Sequence, residues 1–278
     1  MTAALRRAGN ILLLGAGAFL CLFPFYYMIV GALQERPDST VSGAFPSPAN
    51  LTLDNFADIH GSINLLRTLL NSGVFTGGVI VLTLVLGLLA GYALSRLRFR
   101  GRGALLGAVM ITLTLPFQLL MIPLYVMIVR VYGLADTYLG MILPFAVNPT
   151  AVFIFRQFFV SLPDELFESA RVDGASELKI LMRIAVPLAR PAILTAVLVT
   201  FIGPWNEFLW PFLITKEAGM QPLAVALANF ISTVAASMAN PFGAILAGAC
   251  VLAIPGVALF VVFQRHFISN DLSSAVKE

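Results

Sequence analysis

Long apolar runs separated by short polar stretches dominate the chain, and the strict alternation of half-buried strands is not its organising pattern. Six runs come near or exceed the roughly 20 residues that cross a hydrocarbon core of about 30 Å. They are 11–33, 71–95, 104–129, 137–160, 189–213 and 242–263. Backbone polar groups in lipid must be satisfied within their own segment, so each run predicts a helix. The pattern predicts an all-α polytopic membrane protein with six transmembrane helices in a single transmembrane domain, 1–278.

The polar interludes differ in character. The stretch 34–70 is rich in Pro, Ser, Asn and Asp and predicts a loop with a short helix from Asn55 onward, with 63–71 lying at the interface before the next descent. The stretch 96–103 is a tight basic turn, 130–136 is short, and 214–241 contains LAVALANFISTVAAS, which predicts a half-buried helix and not a further span. The run after Arg6 and Arg7 is longer than a secretory apolar region and has no small-residue cleavage site behind it, so it reads as a retained helix. Small residues recur at helix-packing spacing at Gly73 and Gly77, Gly87 and Gly91, and Gly243 and Ala247. Prolines at 116, 123, 144, 204, 211 and 255 fall within or at the ends of spans, where they can kink helices.

Composition strengthens this reading: of 278 residues 59% are hydrophobic and 11% charged, against about 25% charged in soluble domains. Charge adds a direction. With the N-terminus inside, cytoplasmic segments carry Arg6, Arg7, Arg96, Arg98, Arg100, Arg102, Arg156, Arg171, Lys179, Arg183, Arg190, Arg265 and Lys277, thirteen of the 17 basic residues. Arg36, Arg67, Arg130 and Lys216 are left outside. This is a positive-inside distribution, and six spans return the C-terminus to the cytoplasm. Topology and contact with anionic membrane lipid explain the basic block RLRFRGR at 96–102, with no nucleic acid required. Cys21 and Cys250 both fall in spans, which excludes a disulfide framework.

Catalytic chemistry is missing. The two histidines, His60 and His266, form no HExxH, and neither GxxxxGK[ST] nor GxSxG occurs, so the chain reads as no enzyme, with no metal site and no phosphate cradle. If ATP is consumed, another polypeptide binds it. An ion-coupled secondary transporter predicts internal repeats or paired ionisable residues in the spans, and neither is found. The acidic residue within a span is Glu207, in TFIGPWNEFLWPFLI. Trp205, Asn206 and Glu207, with Trp210 nearby, could line a translocation path or gate for a hydroxylated solute. Interhelical pairing, or a position near the headgroups with the tryptophans as belt residues, stays open beside that.

The long interlude 161–188 is the most structured. In SLPDELFESA, Ser161 is a candidate N-cap, Pro163 sits near the first turn, and Asp164 and Glu165 carry negative charge where backbone N–H groups favour it. Leu162, Leu166 and Ala170, with Phe167, form an apolar face. Gly174 is placed to end this helix, with the Asp173 side chain bonding nearby backbone, and a second helix runs from Ser176 to about Pro187. Two such short helices are marginal alone, so something packs against the knob they form. The membrane surface and a partner protein are both candidates; interspersed acidic and basic groups suit a partner better than a basic-faced surface helix does.

Glu168, Ser169, Ala170, Gly174, Ile184 and Pro187 resemble the EAA motif of ABC importer permeases: Glu-Ala-Ala, three residues, Gly, nine residues, Ile, two residues, Pro. The spacing agrees throughout, with Ser169 in place of an alanine. ARVDGAS, IAVPLARPAI, FPSPANLTLDNF, RTLLNSGVF, WNEFLWP, and QRHFI with AVK in the tail resemble carbohydrate permeases similar to the smaller permease of the maltose transporter. Both glycines of that family's tail are absent here.

The resemblance implies a type I ABC importer permease fold in a bacterial inner membrane. It implies a second, homologous permease subunit, a homodimeric cytoplasmic ATP-binding subunit that holds ATP and Mg, an external solute-binding protein, and a sugar or oligosaccharide substrate. In that family the loop 161–188 is the coupling helix seated in a cleft of the ATPase, which assigns the coupling role to Glu168, Ser169, Ala170, Asp173, Gly174, Ile184 and Pro187. A polyol, glycerol phosphate or another non-sugar cargo is the alternative on the same architecture.

Overall fold

The computed structural model describes residues 2–38, 40–238 and 241–275. Among the described residues all regular structure is helical, apart from an isolated antiparallel bridge between Gln34 and Leu51. The helices are α1 (Thr2–Ala32), α2 (Asp54–Ile63), α3 (Leu65–Arg96), α4 (Arg102–Thr114), α5 (Phe117–Val131), α6 (Tyr138–Phe145), α7 (Pro149–Ser161), α8 (Glu165–Val172), α9 (Glu177–Leu188), α10 (Arg190–Asn206), α11 (Leu209–Ile214), α12 (Leu223–Val234) and α13 (Pro241–Ala275). They fall into two compact units, Met1–Arg67 with Ala226–Glu278, and Thr68–Val225.

In the first unit, α1 and α13 contain apolar stretches long enough to cross a membrane, Gly9–Ala32 and Pro241–Gln264. The α1 side chains from Ile11 to Leu22 are largely exposed, as suits a helix whose neighbours are lipid or another subunit. The end of α1 is closed by a side chain from the first turn of α2. Asn55, fully buried, donates its amide to Ala32 O at 2.9 Å and Gln34 O at 2.8 Å, satisfying carbonyls that a helix end leaves open. Asn64, at φ +52°, ends α2 in the left-handed conformation. The expected interfacial stretch 63–71 is therefore mostly the first turns of a continuous α3.

In the second unit, α3 runs 32 residues with no proline inside. Two other expected spans here are bent, and the loop helix α9 meets the start of the fifth span at an angle. Between α4 and α5 the axis turns by 100°, between α6 and α7 by 48°, and between α9 and α10 by 76°. Proline chemistry explains the first: Leu115 precedes Pro116 and is extended at ψ 121°, since the ring disfavours helical geometry in the residue before it. At the second, Asn148 caps α7 by accepting from Thr150 N at 3.0 Å and Ala151 N at 3.3 Å, with Pro149 at the first helical position. The run 189–213, expected as one helix, is interrupted at Glu207 and Phe208. Pro211 has no N–H for the Glu207 carbonyl, so a helix could not pass through intact.

Two aromatic-rich cores hold this unit. Phe75, Met141 and Trp210 centre one, where Trp210 donates Nε1–H to Gly140 O at 3.1 Å. Tyr92, Phe155, Phe159 and Phe167 centre the other, with Ile180, Ala185 and Ala189 from α9 and its junction with α10. Gly91 is required by close approach: a Cβ there would lie 2.6 Å from Phe155 Cβ and 2.9 Å from Arg156 N. Gly87 packs on the same phenylalanine, whereas Gly73 and Gly77, expected at a packing seam, face open space in this chain.

Candidate functional site

The segment between α7 and α10 forms the two-helix knob that the sequence predicts, with one change at its entry. Ser161 ends α7, donating its hydroxyl to Phe158 O at 2.7 Å, and does not cap α8. The cause is Pro163, which holds Leu162 extended, so Asp164 becomes the residue that opens α8; its carbonyl accepts from Phe167 N and Glu168 N, both at 3.0 Å. The apolar face is rotated accordingly. Phe167 and Ala170 are buried and Leu162 half-buried, while Leu166 is exposed.

Gly174 ends α8 at φ +75°, a conformation that costs an L-residue steric energy. Ala175 N–H reaches Ala170 O and Gly174 N–H reaches Arg171 O, both at 3.0 Å, the paired bonds of a Schellman closure. Asp173 takes part through its backbone N–H, to Ser169 O at 3.0 Å, and its carboxylate is exposed, not turned back on the chain. A π turn, Leu181–Ala185, follows in α9 just before Pro187, whose ring lacks the N–H that a regular helix would offer to Arg183 O. The motif residues therefore divide. Ala170 and Ile184 pack inward; Glu168, Ser169, Asp173, Gly174 and Pro187 face outward. Beside the outward set lie bare apolar side chains, Val172 87%, Leu178 64% and Met182 58% exposed.

Residues that the sequence reading did not single out hold this knob. Arg171 Nε donates to Glu177 Oε1 at 2.7 Å, clipping α8 to α9. That bond, followed by one from Tyr92, holds the Glu177 carboxyl below the usual range against the opposing effect of burial. Tyr92 OH donates to Glu177 Oε2 at 2.6 Å, and Arg96 pairs with Asp164 and donates to the carbonyls of Phe159 and Leu162. The available signal was RLRFRGR, whose first arginine is followed 68 residues later by the acidic start of a loop helix.

A second feature lies at the helix breaks. The interruptions after Thr114, before Pro149 and at Glu207 all border one cavity of about 370 Å³. Its polar lining comes from Thr112, Asn148, Thr200 and Glu207 among apolar neighbours such as Phe117 and Val199. Of the three predicted path residues, Glu207 lines this cavity. Trp205 is buried and stacked on Phe201, with centroids 5.4 Å apart, and Asn206 is exposed, donating back to Ile202 O at 2.9 Å. Trp210 belongs to the core. Glu207 Oε1 accepts from Trp210 N at 3.1 Å, so the carboxylate satisfies an open donor at the start of α11 while lining the cavity.

Comparison with known proteins gives the context. The sequence model described as "Binding-protein-dependent transport system inner membrane component" matches residues 83–269. The chain is 35% identical over 263 residues to the arabinooligosaccharides transport system permease protein AraQ of Halalkalibacterium halodurans, covering 94% of this chain and 92% of that protein. It is 35% identical to the trehalose transport system permease protein SugB of Mycobacterium tuberculosis, covering 88% and 89%. It is 31% identical to the sn-glycerol-3-phosphate transport system permease protein UgpE of Rhizobium meliloti, covering 94% of each. In fold it is similar to a chain of a bacterial ABC transporter involved in the import of the acidic polysaccharide alginate, with TM-score 0.83 and 24% identity over 96% of this chain and 98% of that one.

Proposed function

This chain belongs to the family of binding-protein-dependent transport system inner membrane components, and we propose that it forms half of the translocation path of an ATP-driven sugar importer. It is a multi-pass membrane permease of that transport class. On this reading it crosses a bacterial inner membrane six times, at 11–33, 71–95, 104–129, 137–160, 189–213 and 242–263, with α10 and α11 making the fifth span and both termini in the cytoplasm. A homologous permease supplies the other half of the path. ATP and Mg belong to a homodimeric ATP-binding subunit, and an external solute-binding protein delivers the cargo.

The observation that carries the coupling role is the knob itself. It is closed by the Gly174 turn, packed inward on Phe167 and Ala170, and presents Glu168, Ser169, Asp173 and Pro187 beside bare Val172, Leu178 and Met182. Exposed apolar side chains among mixed charges, outside the apolar spans, suit a protein cleft. ATP binding that closes the ATPase dimer would displace the knob and switch the path outward; hydrolysis would reset it.

For the cargo, the relatives divide between sugars and glycerol phosphate. The cavity at the helix breaks is lined by one carboxylate and by no basic side chain among the described residues. That lining favours a neutral polyhydroxylated solute over a phosphate, whose charge calls for a cationic side chain beside it. Glycerol phosphate remains the second reading, supported by the similarity to UgpE. Calorimetric titration of the cognate solute-binding protein with arabinooligosaccharides, trehalose and sn-glycerol 3-phosphate tests the choice. Binding of a neutral sugar is expected; binding of the phosphate alone overturns it.

A further inference from the structure

We infer that the last turn of α3, through Tyr92 and Arg96, carries displacement of the knob into a membrane span. This rests on the reading of the knob as the ATPase-docking element and names the part of the permease that receives its motion. Arg96, with 6% of its side chain exposed, lies at the centre. One guanidinium nitrogen pairs with Asp164 at the start of α8, and the other donates to Phe159 O in α7 and to Leu162 O, the latter at 2.5 Å. The guanidinium also lies 4.1 Å from the centroid of Phe167, the buried anchor of α8.

One turn earlier, Tyr92 holds the other helix. Its hydroxyl donates to Glu177 Oε2 at 2.6 Å, and its ring meets Phe159 edge-on at 5.8 Å and Phe167 at 6.3 Å. Glu177 is in turn clipped to Arg171, whose Nη2 lies 3.5 Å from Arg96 O. The start of α8, the end of α8 and the start of α9 are thus all tied to two residues of α3. Charge-assisted and forked bonds of this kind fix orientation as well as distance. Attachment at three places resists rotation as well as translation.

What these residues attach to matters equally. Helix α3 continues for 32 residues without a proline, a rod about 48 Å long at 1.5 Å per residue. By contrast, the covalent route out of the knob, from α9 into α10, bends by 76° at Ala189. A push on the knob is therefore transmitted with less loss through the side-chain clamp into α3 than along the chain into α10. The span that moves with the knob is not the one that follows it in sequence.

The test uses the full importer in lipid nanodiscs, with this chain in a Cys21→Ser, Cys250→Ser background. Spin labels are placed at Glu165→Cys on the knob and Val81→Cys on α3. Adding a non-hydrolysable ATP analogue is expected to leave the distance between the labels unchanged, because both ends move together. In the Tyr92→Phe and Arg96→Gln variants the ATP-binding subunit is expected to stay bound while that distance shifts or broadens by more than about 2 Å. Solute imported per ATP should fall roughly tenfold, the scale of one lost hydrogen bond to a charged group.

A shift of that size in the parent protein, or no shift in the Tyr92→Phe variant, overturns the inference. Loss of the ATP-binding subunit from both variants also overturns it, since the two residues would then serve only to fold the knob. Failure of the docking reading is recognised separately: knob-surface variants at Gly174 would then retain the ATP-binding subunit fully.

Discussion

Gly174 offers the sharpest separation of backbone from docking effects. Its φ of +75° closes α8, and a Cβ built there meets nothing within 4 Å in this chain. Substitution therefore costs backbone strain alone, about 1–2 kcal/mol for an ordinary L-residue, partly offset by the smaller conformational freedom of the unfolded chain. A net loss of about 1 kcal/mol limits the strain effect of Gly174→Ala on any downstream equilibrium to about fivefold. Asparagine tolerates the left-handed conformation, so Gly174→Asn carries less strain but more bulk. If the ATP-binding subunit seats against this turn, Gly174→Asn should weaken its binding more than about tenfold, because packed interfaces reject added atoms. Its melting temperature should match the parent's within a degree or two. Titration of the ATP-binding subunit onto nanodisc-held permease, with a thermal melt of the same samples, gives both numbers. Normal binding by Gly174→Asn would refute the docking face; a large loss of thermal stability would refute the claim of open space.

Two other predictions follow from specific side chains. Glu207→Gln keeps an oxygen for Trp210 N, so its melting temperature should be unchanged, whereas Glu207→Ala opens that donor and should cost about 1 kcal/mol in a thermal melt; a charge role in the path then appears as uptake slowed already in the thermally unaffected Glu207→Gln, and parent-like uptake there removes that role. The Arg171–Glu177 clip is acid-labile in one direction: because the Glu177 carboxyl is held below its ordinary value of 4.5, its contribution is present above that pH and is lost as pH falls through the lowered value. A Glu177→Gln variant should flatten the acid limb of ATP-binding-subunit retention, and an unchanged limb would remove Glu177 from the clip.

The all-helical, apolar character was legible because long apolar runs must satisfy their own backbone as helices, whereas the breaks inside them were not. The knob was legible because capping residues, a glycine and the EAA spacing lie within a single stretch from Ser161 to Pro187. What escaped has a common cause in long-range contact. Tyr92 sits inside an apolar run and Arg96 inside a basic block whose charge reads as topology, yet their partners are 85 and 68 residues away. The prolines at 116, 204 and 211 were visible, but not that the breaks near them would gather around one cavity. Trp205 and Asn206 were placed at the path by adjacency to Glu207. Helical geometry turns consecutive residues some 100° apart, so neighbours in sequence need not share a face.

The central claim is that the knob faces an ATP-binding subunit and not the membrane surface. Single cysteines at Val172 and Met182, both exposed on the knob, can be crosslinked in membranes that also contain the cognate ATP-binding subunit. An adduct with that subunit is expected at both positions, weakened when ATP drives the cleft to rearrange, with little reaction with a lipid-confined photoreagent. Strong lipid labelling with no such adduct would contradict it.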